Sequence, residues 1–138
     1  MEFHHNMPTI EVIDDDPYMR EFLNILFKSE SYVVRTHASA RSFLQSTRSE
    51  NGCIVTDVYN WEFSWLDLLS ELAGRHNRLP VIIITGRANV RLIVAAMKLG
   101  AFDIFLRPFD PDDLVATVRA ALSFAAEGVD RGVRSGVV

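Results

Sequence analysis

Residues Val81-Ile82-Ile83-Ile84 form an unbroken β-branched run entered from Pro80. Branching at Cβ favours extended backbone, and a run with no polar alternation fits a strand covered on both faces. Strands of that kind belong to parallel sheets, which need long crossover connections, usually helical. The rest of the chain supplies both. Thr9 to Ile13, Tyr32 to Thr36, Ile54 to Thr56 and Phe102 to Leu106 read as further strands. After the first, Pro17 stands at an initial helical position behind acidic capping residues, and Met19, Phe22, Leu23, Leu26 and Phe27 share one helical face. Ser39 to Thr47 reads as a short helix, and Trp65 to Ala73 as another, ended by Gly74. Val90, Ile93, Val94 and Met97 mark a fourth, closed by Gly100, and Leu114, Val115, Val118, Ala121, Leu122 and Ala125 mark the last. Strands alternating with helices in this way predict an α/β domain, a doubly wound parallel sheet covered on both sides. It occupies residues 9–127, with a flexible segment at 1–8 and a loose tail at 128–138, where periodicity ends.

A chain of 138 residues is enough for one such domain and no second. Its net charge of -4 argues against a general nucleic-acid binder, which would carry a basic face. The single cysteine, Cys53, excludes an internal disulfide, and its setting in Cys53-Ile54-Val55-Thr56 reads as a buried structural thiol. No stretch is long enough to span a membrane, and the start lacks the pattern of a signal peptide, so a cytoplasmic location is expected. His37 and His76 have no partner at ligand spacing, and a metal site at His4 and His5 is not expected.

Ligands of such sheets bind beyond the carboxyl ends of the strands. The first strand ends in Asp14-Asp15-Asp16, the third in Asp57, the fourth in Thr85-Gly86 and the fifth in Arg107-Pro108-Phe109. Grouped acids suit a hard divalent ion, and Mg²⁺ accepts one or two carboxylates together with waters and a phosphate. An aspartate beside that ion is a plausible phosphoryl acceptor, since aspartyl phosphates are established covalent intermediates. The charge on a transferred phosphoryl group also asks for a hydroxyl and a cation, which Thr85 and Arg107 would supply. Taken singly, each piece has a plainer reading: a helix cap at residues 14–16, a turn at Thr85-Gly86, a surface loop at Arg107-Pro108.

Together, in this order and spacing, Ile13-Asp14-Asp15-Asp16-Pro17 with Arg20, Ile54-Val55-Thr56-Asp57, Ile83-Ile84-Thr85-Gly86, Met97-Lys98-Leu99-Gly100-Ala101 and Arg107-Pro108-Phe109 resemble the receiver domain of two-component response regulators. The resemblance covers roughly Thr9 to Glu127. It implies a flavodoxin-like (βα)5 fold with strand order 2-1-3-4-5. It also implies that Asp57 is the phosphoacceptor, that Asp15 binds Mg²⁺ directly and Asp14 through water, and that the Tyr59 main-chain carbonyl is a further ligand. Thr85 would hydrogen-bond the phosphoryl group, and the bond before Pro108 would be cis.

Three features depart from the family pattern. Arg107 stands where the family has lysine, and a forked guanidinium is no conservative substitute for an ammonium. It could clamp Asp57 before phosphorylation or hold the phosphoryl oxygens afterwards. The loop Tyr59-Asn60-Trp61-Glu62-Phe63-Ser64-Trp65 replaces the usual Met-Pro-Gly-like turn, with Trp65 expected to pack and Trp61 or Phe63 to dock a partner. Ile104 occupies the place of the switching aromatic, with Phe102 sharing its face and Phe105 opposite.

The expected function is therefore that of a phosphorylated signalling module, not an enzyme with turnover. Its phosphodonor would be a histidine kinase or phosphotransfer protein docking on the first helix, whose outer side carries Tyr18 and Asn24. A downstream partner protein would carry the output. Apolar positions on the fourth and last helices exceed one buried stripe, which predicts a homodimer. The alternatives are a pseudo-receiver that binds without phosphorylation, motivated by the three departures, and a phosphohydrolase of the haloacid dehalogenase type, suggested by Asp14-x-Asp16. The latter is disfavoured by the missing cap insert and acidic pair.

Overall fold

The computed structural model describes residues 7–46, 51–58, 67–70, 79–87 and 89–134, with the side chains of 127–134 left aside. The elements follow in the order β1 (Thr9–Ile13), α1 (Pro17–Ser29), β2 (Val33–His37), α2 (Ala40–Gln45), β3 (Gly52–Val58), β4 (Val81–Thr85), α3 (Val90–Lys98), β5 (Asp103–Leu106) and α4 (Pro111–Arg134). Residues 67–70 are also helical and form the described part of the helix expected from Trp65 to Ala73.

The five strands make one sheet in the order β2-β1-β3-β4-β5, all parallel. Every residue of β3 and β4 is buried, as the β-branched run of β4 predicts. One layer packs Ile10, Val12, Cys53, Val55, Ile82 and Ile84 against Leu23 and Phe27 of α1 and Leu114, Val115 and Val118 of α4. The opposite layer packs Ile13, Ile54, Val58, Val81 and Ile83 against Phe43 of α2, Leu68, Leu69 and Ala96 of α3. Cys53 lies inside the first layer, and burial pushes its thiol up to about 12, as suits an inert core thiol.

Local chemistry fixes the helix starts. Asp16 caps α1 by accepting from the Tyr18 N–H, and Pro17 follows as the first helical residue. Ser39 and Asn89 cap α2 and α3 in the same way, through the N–H groups of Ser42 and Leu92.

Several expected boundaries move. β2 is shifted one residue onward to include His37, and β3 is longer at both ends. β5 starts at Asp103, so Phe102 lies before the pleat and does not share a face with Ile104. Phe102 packs with the α1–α4 layer and against Phe124 at 5.6 Å, whereas Ile104 joins the other layer. α4 runs through Gly128, where the sequence places a loose tail, and continues to Arg134. Gly128 and Gly132 each cost the helix about 1 kcal/mol, which does not by itself end it. Among the described residues no helix is long and apolar enough to cross a membrane.

Candidate functional site

The register brings the acids together. Ile13 of β1 lies opposite Thr56 of β3, so the next residues along, Asp14 and Asp57, fall side by side at the carboxyl edge. Both are buried, at 1% and 7% exposure. Asp14 is held at three points. Its N–H donates to the His37 carbonyl at 3.0 Å, its carbonyl accepts from Arg20 Nη1 at 2.8 Å, and its Oδ1 accepts from the Asp16 N–H at 2.9 Å. Asp14 Oδ2 and Asp57 Oδ2 are buried without a hydrogen-bond partner. Burial pushes the Asp14 carboxyl up to about 7; the Asp16 N–H opposes this and the charge of Asp57 adds to it. Asp15 is exposed at the mouth of the site.

The other two strand ends close the site. Asp57 lies opposite Ile84 in the β3–β4 ladder, which puts the fully buried Thr85 one residue beyond. The Thr85 hydroxyl accepts from the Arg87 N–H at 3.2 Å, and its carbonyl accepts from the Arg107 N–H at 2.9 Å. That main-chain bond fixes Arg107 at the end of β5, before a cis bond to Pro108. Arg107 Nη1 donates to Asp57 Oδ1 in a partly buried ion pair. Of the two roles open to Arg107 in the sequence, this is the clamp on the unmodified aspartate.

Asp14, Asp57, Thr85 and Arg107 therefore converge, and Asp15 stands beside them. Tyr59 and the aromatic residues Trp61, Phe63 and Trp65 lie outside the described residues, as do His4, His5 and His76. Among the described residues no three His, Cys, Asp or Glu side chains could hold a metal by themselves. Mg²⁺ needs only one or two carboxylates, and two buried carboxylate oxygens without partners are the kind of donors it takes.

Two contacts have no counterpart in the sequence reading. The side chain of Arg20, which the motif includes without a role, ties α1 to the Asp14 carbonyl. His37, which lacks a ligand-spaced partner in sequence, has its Nε2 2.7 Å from Oε1 of Glu11, a fully buried carboxylate on β1. Arg35 Nη1 approaches Glu11 Oε2 at 3.5 Å. The signal was Glu11 itself: a charged residue between Ile10 and Val12 in a buried strand requires a partner across the sheet. The pair secures the end of β2, whose His37 carbonyl holds Asp14.

A family model described as response regulator receiver domain matches residues 10–119. The transcriptional regulatory protein FixJ of Azorhizobium caulinodans is 45% identical over 119 residues, covering 86% of this chain and 56% of that protein. The chain thus spans about half the length of the curated relatives it matches. Among solved structures, FixJ-N superposes with a TM-score of 0.73 at 30% identity, covering 84% of this chain and 94% of that one. The response regulator StyR gives 0.80 at 31% identity, covering 94% of this chain and 65% of that one.

Proposed function

The chain belongs to the response regulator receiver domain family, a family of signalling domains, and we propose that it takes a phosphoryl group on Asp57 from a histidine kinase or phosphotransfer protein. The observation that carries this is the buried Asp57 carboxylate at the end of the central strand β3, with one oxygen unpartnered and Asp14, Thr85 and Arg107 around it. The receiver spans residues 9–127 and works in the cytoplasm.

Asp57 attacks the donor phosphorus; its new O–P bond forms as the donor's bond to phosphorus breaks and the leaving group keeps the electron pair. The Thr85 hydroxyl would then turn from the Arg87 N–H to hydrogen-bond the phosphoryl group. Arg107 follows the charge from Asp57 to the phosphoryl oxygens, and its forked geometry suits both. Asp14, Asp15 and Asp57 would hold Mg²⁺ with the Tyr59 carbonyl. When bound, the ion would neutralise charge on the entering phosphoryl oxygens. The same edge would also catalyse loss of the phosphoryl group to water.

The donor docks over α1, which exposes Tyr18 at 85% and Ile25 at 60%. Beside it a groove of about 640 Å³ runs between Met19 and Phe22 of α1 and Gly86, Arg107, Phe109 and Pro111, so that it shares Arg107 with the acceptor site. The output passes to a downstream protein. In the test, the parent gains one phosphoryl group from acetyl phosphate with Mg²⁺, or from a histidine kinase, and Asp57→Asn gains none. Persistent labelling of Asp57→Asn places the acceptor elsewhere.

A second copy of the chain is also a partner. Val90, Val94 and Met97 on α3 and Leu106 on β5 are each more than 40% exposed, at 72%, 45%, 46% and 43%. Apolar side chains exposed at one helical spacing, as Val90, Val94 and Met97 are, suit an interaction surface. Sedimentation at high protein concentration is expected to show a dimer that Val94→Asp disperses. A monomer under all conditions, phosphorylated or not, refutes it.

A further inference from the structure

Gly86 follows Thr85 at the end of β4, and its backbone does not adopt the positive φ that would demand glycine. Its missing side chain serves another purpose. A Cβ at this position would meet the Arg107 guanidinium, at 3.3 Å from Nη2, 3.6 Å from Nε and 3.9 Å from Cζ. The Nε–Nη2 edge of the guanidinium therefore lies against the bare Cα of Gly86, while Nη1 of the same group is paired to Asp57 Oδ1. A Cβ at residue 86 would require the Nε–Nη2 edge to turn by a few tenths of an ångström, and because the guanidinium is rigid and planar that turn carries Nη1 out of line with Asp57 Oδ1.

We propose that Gly86 is the seat of an arginine lock: by admitting the guanidinium, it keeps Arg107 on Asp57 and so holds down the rate at which Asp57 accepts a phosphoryl group. This rests on the reading of Asp57 as the acceptor. Pairing with a cation lowers the nucleophilicity of the carboxylate, and the guanidinium occupies space that the incoming phosphoryl oxygens need. Arginine keeps its charge at every working pH, so the lock is released by displacement and not by deprotonation. Residue 86 touches neither donor nor phosphoryl group in this account. It is a positioning residue that acts only through Arg107.

The test combines two readouts on Gly86→Ala, Gly86→Val, Arg107→Lys and the double variants. The first is the rate of labelling by acetyl phosphate with Mg²⁺. The second is the NMR signature of the Arg107 guanidinium, which needs no phosphorylation. In the parent, hindered rotation keeps its Nη signals distinct. In Gly86→Ala the labelling rate rises roughly fivefold, equivalent to about 1 kcal/mol of lost ion pairing, and the Nη signals merge. Gly86→Val gives a larger change in the same direction. In the Arg107→Lys background neither substitution at 86 changes the rate, because a slender ammonium stem does not rest on that surface.

Unchanged rates with distinct Nη signals in Gly86→Ala and Gly86→Val overturn the proposal. So does a rise of equal size in the Arg107→Lys background, which would make residue 86 act without the arginine. Merged signals with no labelling in any variant, parent included, would instead overturn Asp57 as the acceptor and with it the lock's effect on rate, while the seat itself would stand.

Discussion

At about pH 8 the Asp14→Asn variant resists denaturant better than the parent, by on the order of 2 kcal/mol, and binds Mg²⁺ at least about tenfold more weakly. Both effects come from one carboxylate. Burial, with a contribution from Asp57, pushes Asp14 from an ordinary 3.8 up to about 7. Between those values the folded chain holds a proton that the unfolded chain has released. Its stabilising contribution is complete below the lower value and is lost as pH rises through the upper one. Asparagine never bears the charge, so the variant's advantage grows as pH rises from about 4, is complete above about 7, and vanishes below about 4. The same titration makes Mg²⁺ binding by the parent weaken as pH falls through about 7, since proton and metal compete for one group. Denaturant melts of both proteins across this range check the first effect, and calorimetric titration with Mg²⁺ checks the second. Equal stability of parent and variant at about pH 8 would mean that Asp14 carries no strain from burial.

Gly52→Ala is expected to be the most damaging small substitution in the chain. Gly52 has φ +144°, and a Cβ there would lie 1.9 Å from the Thr9 carbonyl oxygen and 2.8 Å from its carbon. Both are backbone atoms of β1, paired with Gly52 in the central ladder, and the Thr9 N–H donates to the Asn51 carbonyl at 3.0 Å. Neither side can yield without opening β1 from β3, so the loss is at least about 3 kcal/mol of the roughly 5–15 a domain possesses. Thermal unfolding followed by circular dichroism should fall by roughly 10 °C or more. A midpoint within about 2 °C of the parent would show that the strands can part at no cost.

These residues show what sequence can carry. Strand identity was legible because β4 is branched at every interior position, and the start of α1 because a capping acid precedes a proline. The four strand ends could be named because a parallel sheet puts ligands at its carboxyl edge, whatever the register. Contacts were not legible. Asn51-Gly52 reads as a turn in isolation, and only the pairing of β3 with Thr9 reveals why glycine is required. Glu11 and His37 are separated by an entire helix, so their hydrogen bond depends on the β1–β2 register. Phe102 falls one residue before β5 begins, and the apolar pattern alone does not mark where the alternation of faces starts. Arg107 stands out of pattern in the sequence, but its hold on Asp57 in the resting chain depends on geometry across two strand ends.

The central claim is that Asp57 carries the phosphoryl group, and the chemistry of an acyl phosphate allows this to be read at the atom. The parent is incubated with Mg²⁺ and acetyl phosphate, treated with borohydride and digested. Hydride reduces the acyl phosphate to an alcohol and releases phosphate, leaving homoserine in place of the aspartate. The account predicts homoserine at position 57 and at no other, in an amount that tracks the phosphoprotein seen by intact mass. Homoserine at Asp14 or Asp15, or phosphoprotein that yields none at 57, would contradict it.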